Sequence, residues 1–184
     1  MKVVVIRSSP RKDGNSDVLC DQFAKGAMES GHSIINIHLR KKKLSPCNAC
    51  YGCMKDHVCS IKDDMADILR KMIEADVIVM ATPIYFYSLS AQIKILIDRC
   101  LSNYREIKDK KFYFIVTAAD PQREAAQAAL MSLRGFLDCL DHAEEAGVIY
   151  GMGAWDKGDI YKHPAYLEAY ESGKRLGGEW DGAY

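Results

Sequence analysis

Five short apolar runs, at residues 3–6, 33–39, 77–81, 112–116 and 146–150, recur along the 184-residue chain, and a stretch with apolar residues at helical spacing lies in each gap. No other feature constrains the fold as much. Residues 3–6 and 77–81 contain only Val, Ile, Met and Ala, the pattern of strands buried on both faces. Strands joined through a helix pair in parallel, because a parallel crossover needs a dozen or more residues. The chain is therefore expected to be α/β, a parallel sheet with helices on both faces.

The first helix is expected from near Asn15, with Val18, Leu19, Phe23, Ala24 and Ala27 facing inward. The second opens at Asp63 or Asp64, carboxylates that suit a helix N-terminus, and buries Met65, Ile68, Leu69, Met72 and Ile73. Ser90 is read as the N-cap of a third, running to about Leu101, with further helices over 122–140 and 164–176. Five such strands match the doubly wound, flavodoxin-like arrangement of order 2-1-3-4-5, in which ligands sit beyond the carboxyl ends of strands 1 and 3. With no repeat or linker in the sequence, one domain is expected over 1–184.

The loops at those two strand ends are chemically distinctive. Residues 7–16 place Ser, Gly, Asn and Arg between a buried strand and a helix N-terminus. Unpaired N–H groups and the helix dipole there favour an anion, and Arg11 adds a forked charge. The plainer alternative is a polar connection capped by Asn15 or Ser16. No G-x-G-x-x-G follows the first strand and no G-x-x-x-x-G-K-[ST] occurs, so neither a Rossmann dinucleotide site nor a Walker A loop is indicated. The other loop sets three aromatics in a row, Tyr85, Phe86 and Tyr87, fit to cover a flat ring or to pack beneath the loop.

Charge excludes some partners. Lys+Arg and Asp+Glu balance at 25 each, which leaves no footprint for nucleic acid or an anionic membrane. No apolar run approaches a membrane span or the core of a signal peptide, so a cytoplasmic location is expected. The basic run at 40–43 is read as solvated surface. Seven cysteines suit that compartment as thiols or ligands. Cys20, Cys100 and Cys139 lie on apparent helices among apolar neighbours and are expected as buried small hydrophobes.

At this point the motifs resemble a known family. Ser9-Pro10-Arg11-Lys12, Gly14-Asn15-Ser16, a cysteine loop followed by Lys62-Asp63-Asp64-Met65, and Thr82-Pro83-Ile84-Tyr85 are similar to the NAD(P)H-dependent FMN reductases, and within them to the iron–sulfur flavoproteins. The likeness runs from residue 1 to about 118, and more loosely through Trp155, Lys157, Gly158, Asp159 and Ile160. It implies FMN, with NADH or NADPH as co-substrate. Ser9, Arg11, Asn15 and Ser16 would hold the phosphate, in a turn shaped by Pro10 and Gly14. Pro83, Ile84, Tyr85, Phe86 and Ser88 would line the ring, with N–H groups of that loop bonding its N5 and pyrimidine edge. Hydride transfer to such a ring needs no acid–base dyad or nucleophile, and the sequence offers none. Tyr85 is read as packing on the ring, with proton donation as the alternative role. Electrons would pass to a small acceptor or an iron–sulfur centre; the alternative is a carrier exchanging electrons between redox proteins. A homodimer or larger assembly is implied, with residues 151–163 a candidate contact. Two departures stand out: Ser8 where the family usually has Gly, which is expected to narrow the phosphate turn, and Ala118-Ala119 where relatives often carry Gly.

The remaining cysteines follow Cys47-x2-Cys50-x2-Cys53-x5-Cys59. Zinc knuckles usually separate two C-x-x-C pairs more widely. Three thiolates at successive two-residue gaps can meet three corners of a cubane, the fourth arriving from a short loop, although the shorter last gap and Pro of the ferredoxin run are missing. The resemblance implies a [4Fe–4S] cluster on these four. Free thiols or a labile disulfide, and zinc, stay open as alternatives. His57 lies in the same loop as a spare ligand or a solvated side chain.

Overall fold

The computed structural model describes residues 1–176; positions 177–184 of the expected domain lie outside the described residues. β1 (Lys2–Arg7) runs at the centre of an all-parallel sheet between β2 (Ser33–His38) and β3 (Val77–Pro83). β4 (Lys111–Ala118) and β5 (Glu144–Met152) extend it beyond β3, giving the order 2-1-3-4-5. The expected fold class and strand order are those of the structure. β5 starts before its apolar run because Glu144 and Glu145 pair with Lys111 and Phe112 ahead of a bulge at Phe112/Tyr113.

The helices are α1 (Asn15–Glu29), α2 (Cys53–Asp56), α3 (Met65–Glu74), α4 (Ala91–Arg99), α5 (Gln127–Leu137) and α6 (Ala165–Lys174). Side chains on a strand alternate between faces. Val4 and Ile6 of β1 therefore join Met65, Ile68, Met72, Ile93 and Leu133 of α3, α4 and α5 in one core. Val3 and Val5 join Leu19 and Phe23 of α1 and Ala169 of α6 in the other. Among the described residues no helix is long and apolar enough to cross a membrane.

Three expectations need correction. The helix read over 122–140 is a 3₁₀ turn, Arg123–Ala126, followed by α5, which ends at Leu137 and tightens through Cys139 N–H to Phe136 and Leu140 N–H to Leu137 bonds. Cys139 thus lies past the helix and is exposed, whereas Cys20 and Cys100 are buried and their thiols are pushed up to about 12 by desolvation. Arg40 is not solvated surface: its Nη1 donates to the buried Asp17 carboxylate at 2.7 Å.

α1 and α6 cross backbone to backbone. A Cβ added at Gly173 would lie 2.0 Å from the Phe23 carbonyl oxygen, and one at Gly26 2.1 Å from that of Tyr170. Such contacts force the helices apart, and overpacking of this kind costs about 1–3 kcal/mol. Gly173→Ala should lower the unfolding free energy by that amount in urea titrations. Gly135→Ala, in the last turn of α5 with nothing within 4 Å of the added atom, should instead raise it by up to about 1 kcal/mol.

Candidate cofactor site

The chain leaves β1 through two buried polar residues. Arg7 Nη1 donates to the Asp17 carbonyl at 3.1 Å and to Asp21 Oδ1 at 2.6 Å, and Nη2 donates to Asn36 Oδ1 at 2.7 Å. Ser8 Oγ donates to the Ala81 carbonyl and accepts from Ser90 Oγ, each at 2.8 Å. The Ser90 N–H donates to Thr82 Oγ1 at 3.0 Å. Ser8, Thr82 and Ser90 are all buried, so this chain of hydroxyls fastens the first loop to the second. The Ser8 hydroxyl is thus committed to β3 and to the residue before α4. Ser90 precedes α4 as expected, but its hydroxyl bonds Ser8 rather than the helix N–H groups.

Beyond these residues an open cleft of about 180 Å³ is lined by Ser9, Arg11, Gly14, Asn15, Ser16, Pro83, Ile84 and Tyr85, joined by Thr117, Ala118, Ala119, Ala154 and Trp155. Eight of the eleven expected binding residues thus meet in one place. Pro10, Phe86 and Ser88 do not line it. Ser88 exchanges backbone bonds with Tyr85 across a two-residue turn, which lifts Phe86 out to full exposure, 102%. Phe86 and Tyr87 both take left-handed backbone, φ 49° and 60°, a strain of roughly 1–2 kcal/mol each. Thr117 and Ala154 carry no motif; only the register of β4 and the return of the chain after β5 bring them here.

Backbone donors are available at the turn. α1 is capped by Gly14 and its first i→i−4 bond is Val18 N–H to the Gly14 carbonyl, so the N–H groups of Asn15, Ser16 and Asp17 are without partners among the described residues. Ser16 is 2% exposed and lines the cleft beside them. The second loop differs from expectation: Ile84 N–H donates to the Thr117 carbonyl at 2.8 Å and Tyr85 N–H to the Ser88 carbonyl at 3.0 Å. Ladder and turn use both donors, which leaves those of Phe86 and Tyr87 unpartnered among the described residues.

The residues fit a phosphorylated flat cofactor. A Cβ at position 14 would fall 2.8 Å from Ser9 Oγ and close the cradle that Gly14 leaves open. Three aligned N–H groups at a helix N-terminus suit a phosphate. The cleft is smaller than a closed ligand pocket of about 300 Å³ or more, with room for a phosphate and one edge of a ring but not to enclose them.

The cysteine loop sits apart from this cleft, at the far end of α4. Its neck is held by Arg99, whose Nη1 donates to the Ser45 carbonyl at 2.7 Å and to Asp63 Oδ2 at 2.8 Å, while Nη2 donates to Asp63 Oδ1 at 3.0 Å. The two side chains are 1% and 7% exposed. Asp63 also accepts from the N–H groups of Ser45 and Met65. It therefore combines the expected helix-start role with a buried ion pair that no sequence signal announced. His57 is exposed, as a solvated side chain would be, and its Nδ1 also lies 3.0 Å from the Ser102 carbonyl.

Within the loop Cys47 and Cys50 are exposed, Cys53 is buried and Cys59 half-buried. Burial pushes the Cys53 thiol up, helped by the charges of Cys59, Cys50 and Cys47, whereas the Ser60 hydroxyl and Gly52 N–H pull the Cys50 thiol down. Among the described residues no three His, Cys, Asp or Glu side chains stand close enough to hold a single metal ion. Ala49, Tyr51 and His57 all take left-handed backbone, a concentration of strain characteristic of functional loops.

Comparison with known proteins adds a family. The family model for NADPH-dependent FMN reductases matches residues 1–149. An iron–sulfur flavoprotein of Archaeoglobus fulgidus is 37% identical over 137 residues, 72% of this chain and 66% of that protein. One of Methanocaldococcus jannaschii is 42% identical over 99 residues, 54% of this chain, and the chain spans about half of its length, 51%. Among solved structures, an azoreductase of Bacillus anthracis superposes with a TM-score of 0.73 at 16% identity, over 95% of this chain and 99% of that one. An NAD(P)H:quinone oxidoreductase of Methanothermobacter marburgensis gives 0.73 and 16%, over 98% of each chain. At such identity the structures establish a shared fold.

The neck of the cysteine loop can be tested without any cofactor. Burial raises the Asp63 carboxyl, but the bonds from Arg99, Ser45 and Met65 outweigh it and hold the group below its usual value. A depressed folded-state pKa means that the stabilisation is full above the unfolded value of about 3.9 and is lost as pH falls through the lower folded value. Asp63→Asn leaves Arg99 buried and unpaired and should cost about 3–5 kcal/mol at pH 7 by urea unfolding. The gap from the parent protein should narrow below about pH 4.

Proposed function

Because this chain belongs to the NADPH-dependent FMN reductase family, we propose that it is a flavoprotein oxidoreductase that binds FMN in the cleft between the β1 and β3 loops and takes reducing equivalents from NADH or NADPH. One observation carries the reading: the unpartnered N–H groups of Asn15, Ser16 and Asp17 meet the Tyr85 side of the aromatic loop in a single cleft at the carboxyl ends of β1 and β3. When bound, FMN would supply a ring that accepts hydride. The chain's own work is to bind and orient. Ser9, Arg11, Ser16 and the N–H groups at α1 hold the phosphate. Tyr85 and Ile84 pack on the ring edge and keep water from it, and the hydroxyl chain through Ser8 and Ser90 fixes the spacing of the two loops. The exposed, strained tip at Phe86 and Tyr87, beside a cleft open on one side, supports assembly as a homodimer or larger oligomer. The electron acceptor is proposed to be a small molecule that reaches the open side.

Cys47, Cys50, Cys53 and Cys59 are proposed to hold a [4Fe–4S] cluster. The sequence likeness to iron–sulfur flavoproteins supports this, as does the rigid neck made by Arg99 and Asp63. A second reading, a one-electron carrier between redox proteins, is favoured by the exposure of Cys47, Cys50 and Phe86 on the surface.

Anaerobic mixing separates these readings. FMN-loaded protein should lose its flavin absorbance within seconds of adding NADH or NADPH. Bleaching by reduced ferredoxin alone would select the carrier, and folded protein that refuses FMN would remove both. Protein purified without oxygen should contain about four irons per chain with a broad visible band, and Cys53→Ser should abolish both while FMN binding persists. Iron-free material from such a preparation would remove the cluster.

A further inference from the structure

The loop after β5 was expected to reach towards a neighbouring subunit, yet its first part is bound tightly to the phosphate turn of its own chain. Asn15 Nδ2 donates to the carbonyls of Ala154 at 3.2 Å and Asp156 at 2.9 Å, and Asn15 Oδ1 accepts from Gly158 N–H at 3.1 Å. A primary amide has two N–H donors and one oxygen. Two carbonyls on one side and an N–H on the other fix which end is nitrogen and commit the donors fully. The side chain therefore has no donor left for a phosphate. Arg11 Nη1 adds a bond to the Trp155 carbonyl at 3.4 Å. From the sheet side, Gly153 N–H donates to Asp120 at 3.0 Å and Ala154 N–H to Ala118 at 2.8 Å.

All this bonding surrounds one residue whose side chain is left open. Trp155 is 71% exposed and lines the cleft together with Tyr85. A large aromatic ring exposed on a mobile loop would have to be ordered before it could stack on a ligand. Here the backbone on either side is already fixed, so that ordering cost is reduced. The indole face suits a flat conjugated ring.

We propose that Trp155 is the second aromatic wall of the cleft, stacking on the ring of the bound flavin, and that Asn15 is a positioning residue which carries that wall rather than a ligand of the phosphate. The inference rests on the FMN reading above, which it deepens. It assigns Asn15 a role opposite in consequence to that of its neighbour Ser16. Loss of a phosphate contact weakens FMN and leaves riboflavin, which lacks the phosphate, untouched. Loss of the wall weakens both by the same factor.

The test is titration of flavin-free protein with FMN and with riboflavin, with urea midpoints and circular dichroism to establish that each variant folds. Trp155→Ala and Asn15→Ala should each weaken both flavins about tenfold, leaving their affinity ratio as in the parent, and Trp155→Phe should restore most of the loss. Ser16→Ala should lower FMN affinity alone. In a Trp180→Phe background, flavin binding should quench the emission of Trp155, and less so once Asn15→Ala is added. An Asn15→Ala effect confined to FMN would overturn the proposal, as would a Trp155→Ala variant that binds both flavins like the parent. Should a variant unfold, the quenching measured in Trp180→Phe still decides: no quenching on saturation with FMN would overturn the wall. A parent protein that binds neither flavin would remove the FMN reading itself, a result distinct from all of these.

Discussion

Complete burial of β1 on both faces is the constraint from which the rest follows. Val3, Val4, Val5 and Ile6 are each 0% exposed, packed between two separate cores. A strand in that position has no edge and no solvated face, so the residues that end it must satisfy their polarity within the protein. Ser8, and Arg7 through both terminal nitrogens though not its buried Nε, do so by binding outward in several directions: Arg7 to α1 and β2, Ser8 to β3 and to the residue that precedes α4. The first polar atoms after the strand thereby fix the origin of both loops that form the cleft.

That arrangement explains why the cleft needs so few residues of its own. The parallel sheet brings the exits of β1 and β3 side by side at the point where the strand order reverses. The helix following β1 then supplies N–H groups, and the loop following β3 supplies aromatic surface. The loops after β4 and β5 complete the walls by backbone bonds to one another, Ala154 to Ala118 and Gly153 to Asp120, independent of side-chain identity. Small side chains suffice there: Ala118, Ala119 and Ala154 line the cleft without filling it.

How much of this could be read in advance follows from the range of each interaction. Strands, helices and strand order were legible because burial on two faces leaves a local mark, a run such as residues 77–81 with no polar position. The open N–H groups at the start of α1 were legible for the same reason, since the turn that precedes them is one segment. What escaped detection joins distant segments. Nothing near Arg99 in sequence reveals Asp63 as its partner, and nothing near Ser8 reveals Ser90. Asn15 was read as a phosphate ligand from the polar turn around it, while its amide is used by a loop some 140 positions away. The two glycines at which α1 and α6 touch were equally silent, since a close approach depends on both helices at once. Cys139 was misplaced by a single feature, the tightening of the last turn of α5, which turns the next residue outward.

α4 gives the two halves of the candidate chemistry a common frame. Ser90 at its start closes the hydroxyl chain to the β1 turn, and Arg99 at its end closes the neck of the cysteine loop. The nine residues of α4, Arg99 included, rise about 14 Å, and Ile93 and Leu96 anchor the helix in the core at 0% exposure. A helix so short, anchored along one face, is a stiff link. Each of its ends is tied by hydrogen bonds to buried partners, so the separation of the cleft from the cysteine loop is fixed by covalent geometry and core packing. The strain that the structure does carry lies outside that frame, in Phe86 and Tyr87 at the rim of one site and in Ala49, Tyr51 and His57 around the other. Rigidity between the sites and strain at their edges give the proposed chemistry its frame: a constant internal distance, and exposed surface at the rim of each site.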